Sequence, residues 1–481
     1  MDFFRKKSLS QQFTRKKDSD LKKALGAWDL TMLGLGCIIG TGIFVVTGVA
    51  AAEHAGPALV LSFVLSGLAC VFAALCYSEF ASSMPVTGSA YTYSYAIFGE
   101  VIAWIIGWAM VLEYGLAASA VASGWSGYFQ GLIKGFGVEL PTAITSAYNP
   151  EKGTYIDIPA IAIVLLITFL LTRGIRESVR VNNIMVIVKV AVIFLFIGVG
   201  VWYVKPENWT PFMPFGFSGV AAGAASVFFA YLGFDAVASA AEEVRNPQRN
   251  MPIGIIASLT ICTLLYIVVS MVLTGIVPFT QLNVKEPVAF ALRYIHQDWV
   301  AGFISVGAIA GITTVLLVLL YAQTRLFFAI SRDGLLPKVM SRVHPFTQTP
   351  IANTWITGII IAVFGGLVPL HRLAELVNIG TLFAYIVVSI GVLVLRRAQP
   401  DLPRAFKVPF VPVIPILAVL LCGYLIFNLP SLTWIGFGVW LVLGLIIYFA
   451  YGYRNSVLAK QSVLSSEEAL DEPYEAKKGA L

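Results

Sequence analysis

Three ionisable residues stand inside long apolar stretches of this sequence: Glu113 in GWAMVLEYGLAAS, Asp235 in LGFDAVASA and Lys189 in NNIMVIVKVAVIFLF. A charged group surrounded by hydrocarbon is costly, so such residues are kept where they pair with one another or meet a ligand or an ion. The apolar stretches contain no nucleophile with a base beside it and no cluster of metal ligands. The chemistry these residues suggest is therefore binding and proton exchange, without bond making.

Their depths differ. Glu113 lies about thirteen residues into its stretch, roughly 20 Å along a helix and near mid-bilayer, too deep for a short side chain to reach either interface. It is either a carboxyl paired inside the bundle or a group facing a cavity, and the cavity is the expectation. Asp235 directly follows Gly233 and is expected to cap a new half-helix, its carboxylate accepting from N–H groups two or three residues on. Lys189 is six residues beyond Asn183, about 9 Å deep. Its long stem could return the ammonium to the membrane face, or the side chain could point inward and exchange a proton as a coupling site.

The densest glycine cluster, MLGLGCIIGTGIFVVTG over residues 32 to 48, lies in the first apolar stretch. A dinucleotide fingerprint is excluded, because the spacing is G-x-G-x-x-x-G and no strand or βαβ unit surrounds it. Gly36 and Gly40 form a G-x-x-x-G face for close helix packing. The sharper expectation is a helix interrupted at Gly40-Thr41-Gly42. Broken backbone at membrane depth survives only where it is buried in protein or lines a polar cavity, and the new half-helix presents N–H groups suited to a carboxylate. A second break is expected before Gly233 in FFAYLGFDAV, where the carbonyls of Phe229, Ala230 and Leu232 could take an ammonium group. Amides on one side and carbonyls on the other fit a zwitterion, an α-amino acid.

The elements that must position these residues are membrane spans. Of 481 residues, 58% are hydrophobic and 12% charged, about half the charged fraction of an ordinary soluble protein, which excludes a soluble enzyme. Apolar windows fall near 28–52, 57–81, 98–130, 157–173, 183–204, 218–241, 252–277, 299–331, 353–369, 374–395, 411–429 and 432–453. With a cytoplasmic amino terminus, 25 Lys and Arg fall inside and 6 outside, which orients both termini to the cytoplasm and accounts for the net charge of +6 without a nucleic-acid partner. The basic tail MDFFRKKSLSQQFTRKKDSDLKK lacks the apolar core and cleavage site of a signal peptide. The five cysteines show no disulfide framework or metal spacing.

The expected fold is therefore an all-α polytopic membrane protein of 12 spans. Residues 28–204 form a first unit of five spans and 218–395 a second of inverted topology, each opening with a broken helix, the layout of one class of secondary transporters. Spans eleven and twelve, 411–453, follow, and residues 1–27 and 454–481 are cytoplasmic tails.

GLGCIIGTGIFVVTG, the AGPA that follows, YSEFASSMPVTGSAYTYSY, the Glu113 segment, FFAYLGFDAVASAAEEVRNPQRNMPIGI and RLFFAISRDGLLPKV together resemble the amino acid, polyamine and organocation permease superfamily. They are most similar to bacterial members of its cationic amino acid transporter subfamily. The resemblance covers residues 25–455. It implies a five-plus-five bundle with two added helices working by alternating access in the plasma membrane, with no cofactor and the proton as coupling ion. It puts the substrate carboxylate at Gly40, Thr41 and Gly42, the amine at carbonyls of Phe229, Ala230 and Leu232, and Phe229 as an aromatic gate. It also implies that Lys189 occupies the place of a sodium ion against the span-one backbone, and that Glu113 and Asp235 lie near the substrate side chain.

Two acids would suit arginine or lysine, yet Val315 to Leu320, the wall expected to face the side chain, is wholly apolar. Leu319 departs from what a cationic pocket requires, so neutral, alanine-like amino acids are the expectation. The alternatives are a cationic amino acid transporter, an obligate exchanger and a sensor on a transporter scaffold. The partners implied are an amino acid and the bilayer, and a small accessory subunit or bound lipid is left open.

Overall fold

A computed structural model describes residue 5 and residues 25–83, 89–173, 179–239, 244–345, 349–402, 404 and 406–460. Most of the two tails, the centre of RGIRESVR and part of AAEEV lie outside these residues. Among the described residues the regular structure is helical, and strand pairing is limited to isolated bridges such as Leu25 with Val244.

Among the described residues fifteen α-helices of six residues or more carry the fold: α1 (Ala27–Ile38), α2 (Leu59–Ser83), α3 (Ser89–Ile97), α4 (Glu100–Gly135), α5 (Ile158–Thr172), α6 (Val179–Gly200), α7 (Gly216–Val227), α8 (Phe234–Ser239), α9 (Pro247–Ile276), α10 (Pro287–Tyr294), α11 (Asp298–Arg332), α12 (Ile351–Leu367), α13 (Leu370–Ala398), α14 (Val413–Phe427) and α15 (Ser431–Ile447). Each apolar window of the sequence falls, among the described residues, on helix, the first and sixth with an interruption. Seven helical stretches among the described residues are long and apolar enough to cross a membrane, and five shorter apolar helices accompany them. The short helices α3 and α10 have no counterpart among the apolar windows, because their periodic faces are brief and bounded by polar residues.

Local chemistry sets several helix starts. The amide of Gly26 donates to the Asp29 carboxylate at 3.0 Å at the head of α1, and the amide of Ala160 donates to Asp157 at 3.0 Å at the head of α5. Proline opens α9 and α10, where its missing N–H costs nothing.

Helix α9 lies against α1 and α2, and α2 against α7; α4 lies against α11, α12 and α13, and α5 against α12. Helix α13 also packs on α2 and α14, and α6 on α1 and α11, which joins these sets into one bundle. Serine hydroxyls join α2 to α7, Ser62 donating to the Val220 carbonyl at 2.8 Å and Ser66 to Ala224 at 2.7 Å. Such polar contacts suit a medium in which apolar contact alone does not favour helix over lipid. Of the most apolar 18-residue window within α4, 78% is buried, against 22% of that within 431–460, so α4 is central and α15 peripheral. Stacked Trp108 and Trp440 fix that outer helix, each indole donating to the other's carbonyl at 2.8 and 2.9 Å.

Candidate functional site

Both expected breaks are present, and they meet. The first helix ends at Ile38, Ile39 is extended (ψ 100°), and helix resumes at Thr41 with π-helical turns at Gly42–Val46 and Ala51–Ala55. The opening amides of the resumed helix have no carbonyl one turn behind them. In the second, α7 tightens into a 3-10 turn at Phe228–Tyr231, Leu232 is extended, and Gly233 takes φ +108° before α8 begins. Only glycine adopts that φ readily, and a Cβ at 233 would press on Cys37.

Gly42 backs directly onto Ala230, where a Cβ would overlap the Ala230 main chain. The sequence reading gave this glycine the task of admitting a ligand to the backbone. Gly42 does line the cavity, but the direction its side chain would take is filled by the other broken helix. Gly36 packs on Asn182 and Val186 of α6, as a helix-packing glycine should.

A cavity enclosing about 570 Å³ of unfilled space, its mouth included, lies at this meeting point. Cys37, Ile38, Gly40, Thr41 and Gly42 line it from the first break, and Phe229, Leu232 and Gly233 from the second. Helix α4 adds Glu113, Tyr114, Ala117 and Val121 from one face, and α11 adds Val315, Val318, Leu319 and Ala322 at helical spacing. The wall that the sequence marked as apolar is apolar in place.

Among the ionisable residues, Glu113 is 2% exposed and lines the cavity. Asp235 is not among the lining residues: the hydroxyl of Tyr114, next in sequence to Glu113, donates to Asp235 Oδ2 at 2.6 Å. Asp235 lies within the first turn of α8, two residues past the cap position, because the helix starts at Phe234 and the cap falls on Gly233. Lys189 is wholly buried, its Nζ donating to the Gly36 carbonyl at 2.7 Å and its stem lying on Gly311 of α11. That geometry overturns the snorkelling alternative, since the ammonium points to the first helix instead of the membrane face.

The carbonyls of the second break are not equivalent. Phe229 accepts a long 3.4 Å bond from the Leu232 amide, whereas Ala230 accepts from Tyr266 at 2.9 Å and does not line the cavity. Tyr266 of α9 is fully buried, and its hydroxyl also lies 3.0 Å from the Ile38 carbonyl, so its single proton is shared between the two carbonyls. One phenol thus joins the ends of both broken helices, a role the sequence reading missed. The signal was present, since a tyrosine inside an apolar helix must find a partner for its hydroxyl when buried. Tyr114 and Val121 were also missed, as was Gly124, whose bare face receives the Thr41 side chain. The Thr41 hydroxyl is buried without a hydrogen-bond partner, and it lines the same cavity.

An apolar helical bundle with a chamber at the junction of two interrupted helices defines a polytopic membrane protein built around a small-molecule site. The amino acid permease profile matches residues 25–456, and the chain belongs to that family, as a multi-pass protein of the plasma membrane. It is 55% identical over 457 residues to the methylthioribose transporter of Bacillus subtilis, covering 95% of this chain and 99% of that protein. It is 56% identical over 459 residues to the branched-chain amino acid permease BcaP of the same organism, with 95% and 98% covered. Similarity to the vacuolar cationic amino acid transporter 4 of Arabidopsis thaliana is lower, 40% over 409 residues, with 82% and 67% covered.

Proposed function

We propose that the protein is a proton-coupled symporter of neutral amino acids with aliphatic side chains, working by alternating access through 12 spans arranged as two inverted five-span units plus two, with cytoplasmic termini. The substrate carboxylate lies against the amides and hydroxyl at Thr41 and Gly42, and the ammonium against the carbonyls of Phe229 and Leu232. The side chain extends between Ala117 and Val121 on one wall and Val315, Val318 and Leu319 on the other. Phe229 closes over the ligand.

The observation that carries this reading is the apolar chamber at the junction of the two breaks, which offers donors on one side, acceptors on the other and no cation or amide along the side-chain wall. The branched-chain permease among the relatives extends the expected range from alanine to valine, leucine and isoleucine. Coupling is assigned to Lys189. Its charged hydrogen bond holds the first helix through Gly36, and loss of the proton weakens that bond and frees the helix to move.

A second reading, a neutral thioether sugar of the kind named for the methylthioribose relative, is favoured by one feature. Glu113 supplies carboxyl oxygens for hydroxyl groups at the end of an otherwise apolar chamber. The test is uptake of labelled leucine into sodium-free proteoliposomes under an inward proton gradient, with alanine, arginine and methylthioribose as competitors. Gradient-driven accumulation blocked by alanine is the expected result. Movement only after preloading with amino acid would make the protein an exchanger, dominant inhibition by arginine a cationic transporter, and dominant inhibition by methylthioribose a sugar transporter. Binding without movement would make it a sensor.

A further inference from the structure

Two buried side chains donate to distant main-chain carbonyls at the same sequence separation. Lys189 reaches Gly36 at 2.7 Å and Asn378 reaches Ala225 at 2.8 Å, each across 153 residues. The shift along the chain that carries the first pair onto the second also brings α2 onto α9, α5 onto α12 and α6 onto α13. Asn378 therefore stands to the broken helix at 216–239 as Lys189 stands to the one at 27–55.

Its contacts fall where that helix changes form. Ala225 and Ser226 are the last residues before Val227, where α7 ends and the 3-10 turn begins. A carboxamide has two N–H donors, and that of Asn378 reaches the Ala225 carbonyl and, at 3.3 Å, the Ser226 carbonyl. The side chain is fully buried, and its Oδ1 has no hydrogen-bond partner. A buried acceptor left unsatisfied is unfavourable, so a filler of the same volume without polar atoms would pack better if packing were the only task. Two turns further along α13, Tyr385 supports the same segment from both sides of the break, its ring centroid 5.8 Å from Phe228 and 4.9 Å from Phe234.

We propose that Asn378 is a positioning residue for the amine-binding half of the site: it fixes where the second broken helix tightens and thereby aims the Phe229 and Leu232 carbonyls into the chamber. The proposal rests on the transport reading above. It also distinguishes the two halves chemically. The carboxamide carries no titratable proton, so the second helix is held at every proton load, whereas the lysine can release the first. Motion driven by the proton is then directed to the first broken helix.

The test uses the full chain in proteoliposomes, with Asn378→Leu, Asn378→Ala and Asn378→Gln. Removal of the donors in the Leu and Ala variants is expected to raise the KM for leucine tenfold or more while Vmax changes less than threefold, with faster hydrogen exchange confined to peptides covering 225–233. The Gln variant, which keeps both donors, should recover much of the affinity. A folded Leu variant with leucine KM and 225–233 exchange within twofold of wild type would overturn the proposal, and if that variant does not fold, the smaller Ala variant, which also lacks a donor, decides by the same readouts. If wild type neither binds nor moves amino acid, the transport reading falls, and the exchange measurement still decides whether Asn378 fixes the break.

Discussion

Gly42 and Ala230 meet main chain to main chain, so the resumed half of the first broken helix lies directly on the 3-10 turn of the second. The contact sets the separation between the amides of one break and the carbonyls of the other, and hence, on the proposed function, the length of ligand that bridges them. Gly42→Ala forces these backbones apart, and overpacking of this kind costs about 1–3 kcal/mol. Leucine binding is expected to weaken at least tenfold, with a lower melting temperature in detergent. Gly40→Ala should be milder, because its Cβ would meet the side chain of Val315 at 3.1 Å instead of backbone. Paired melting and binding measurements check both, and an unchanged affinity in Gly42→Ala would remove this contact from the account of the site.

Tyr266 makes the complementary contact. Tyr266→Phe keeps the ring among Phe63 and Tyr231 but removes the hydroxyl from the carbonyls of Ile38 and Ala230. A buried acceptor stripped of its donor costs about 1–3 kcal/mol. The expected outcome is a stability loss in that range together with a weaker leucine affinity, because both breaks lose the same anchor. Titration calorimetry with thermal unfolding separates the two effects, and a variant that loses stability while binding normally would make Tyr266 structural alone.

The breaks were legible because a glycine cluster at membrane depth has few physical explanations, and the apolar wall at Val315 to Leu320 was legible because every residue of that run is apolar, whichever face α11 turns to the chamber. The partners across the molecule were not. Tyr266 lies 228 residues from Ile38, and periodicity gives a residue's face without naming the neighbour it turns to. Lys189 shows the same boundary: rise per residue gave its depth, but the azimuth that separates snorkelling from Gly36 depends on how α6 packs beside α1. The Ala230 carbonyl was grouped with its neighbours by sequence adjacency, whereas a 3-10 turn sends successive carbonyls in different directions, one of them to Tyr266.

Removing the Lys189 ammonium should divide binding from coupling. Lys189→Ala leaves the chamber lining intact, since Lys189 is not part of it, and deletes the charged bond to Gly36. Leucine binding and preloaded counterflow are expected to persist within about fivefold, since the proposed function gives that hydrogen bond a part in coupling and none in holding the substrate. Accumulation driven by an inward proton gradient should vanish. Uptake in proteoliposomes with and without the gradient measures the difference, and a wild-type response to the gradient would return Lys189 to a packing role.

Leu319 tests the assignment of substrate class. It lies half-buried on the α11 face with Val315, Val318 and Ala322, in the same chamber as the Glu113 carboxyl. Leu319→Ser removes most of an aliphatic side chain from the wall and adds a hydroxyl, so an aliphatic ligand loses apolar contact while a long polar one gains room and a partner. Loss of one or two methylenes of contact is worth about 1–3 kcal/mol, so leucine affinity should fall roughly tenfold or more. Arginine and lysine should become effective competitors, because Glu113 is then within reach of a cationic end group along a wall that no longer excludes it. Inhibition curves for leucine, alanine, arginine and lysine on both proteins give the comparison. Retained leucine preference with no gain for the cations would place the substrate side chain elsewhere in the chamber, against α4 at Ala117 and Val121.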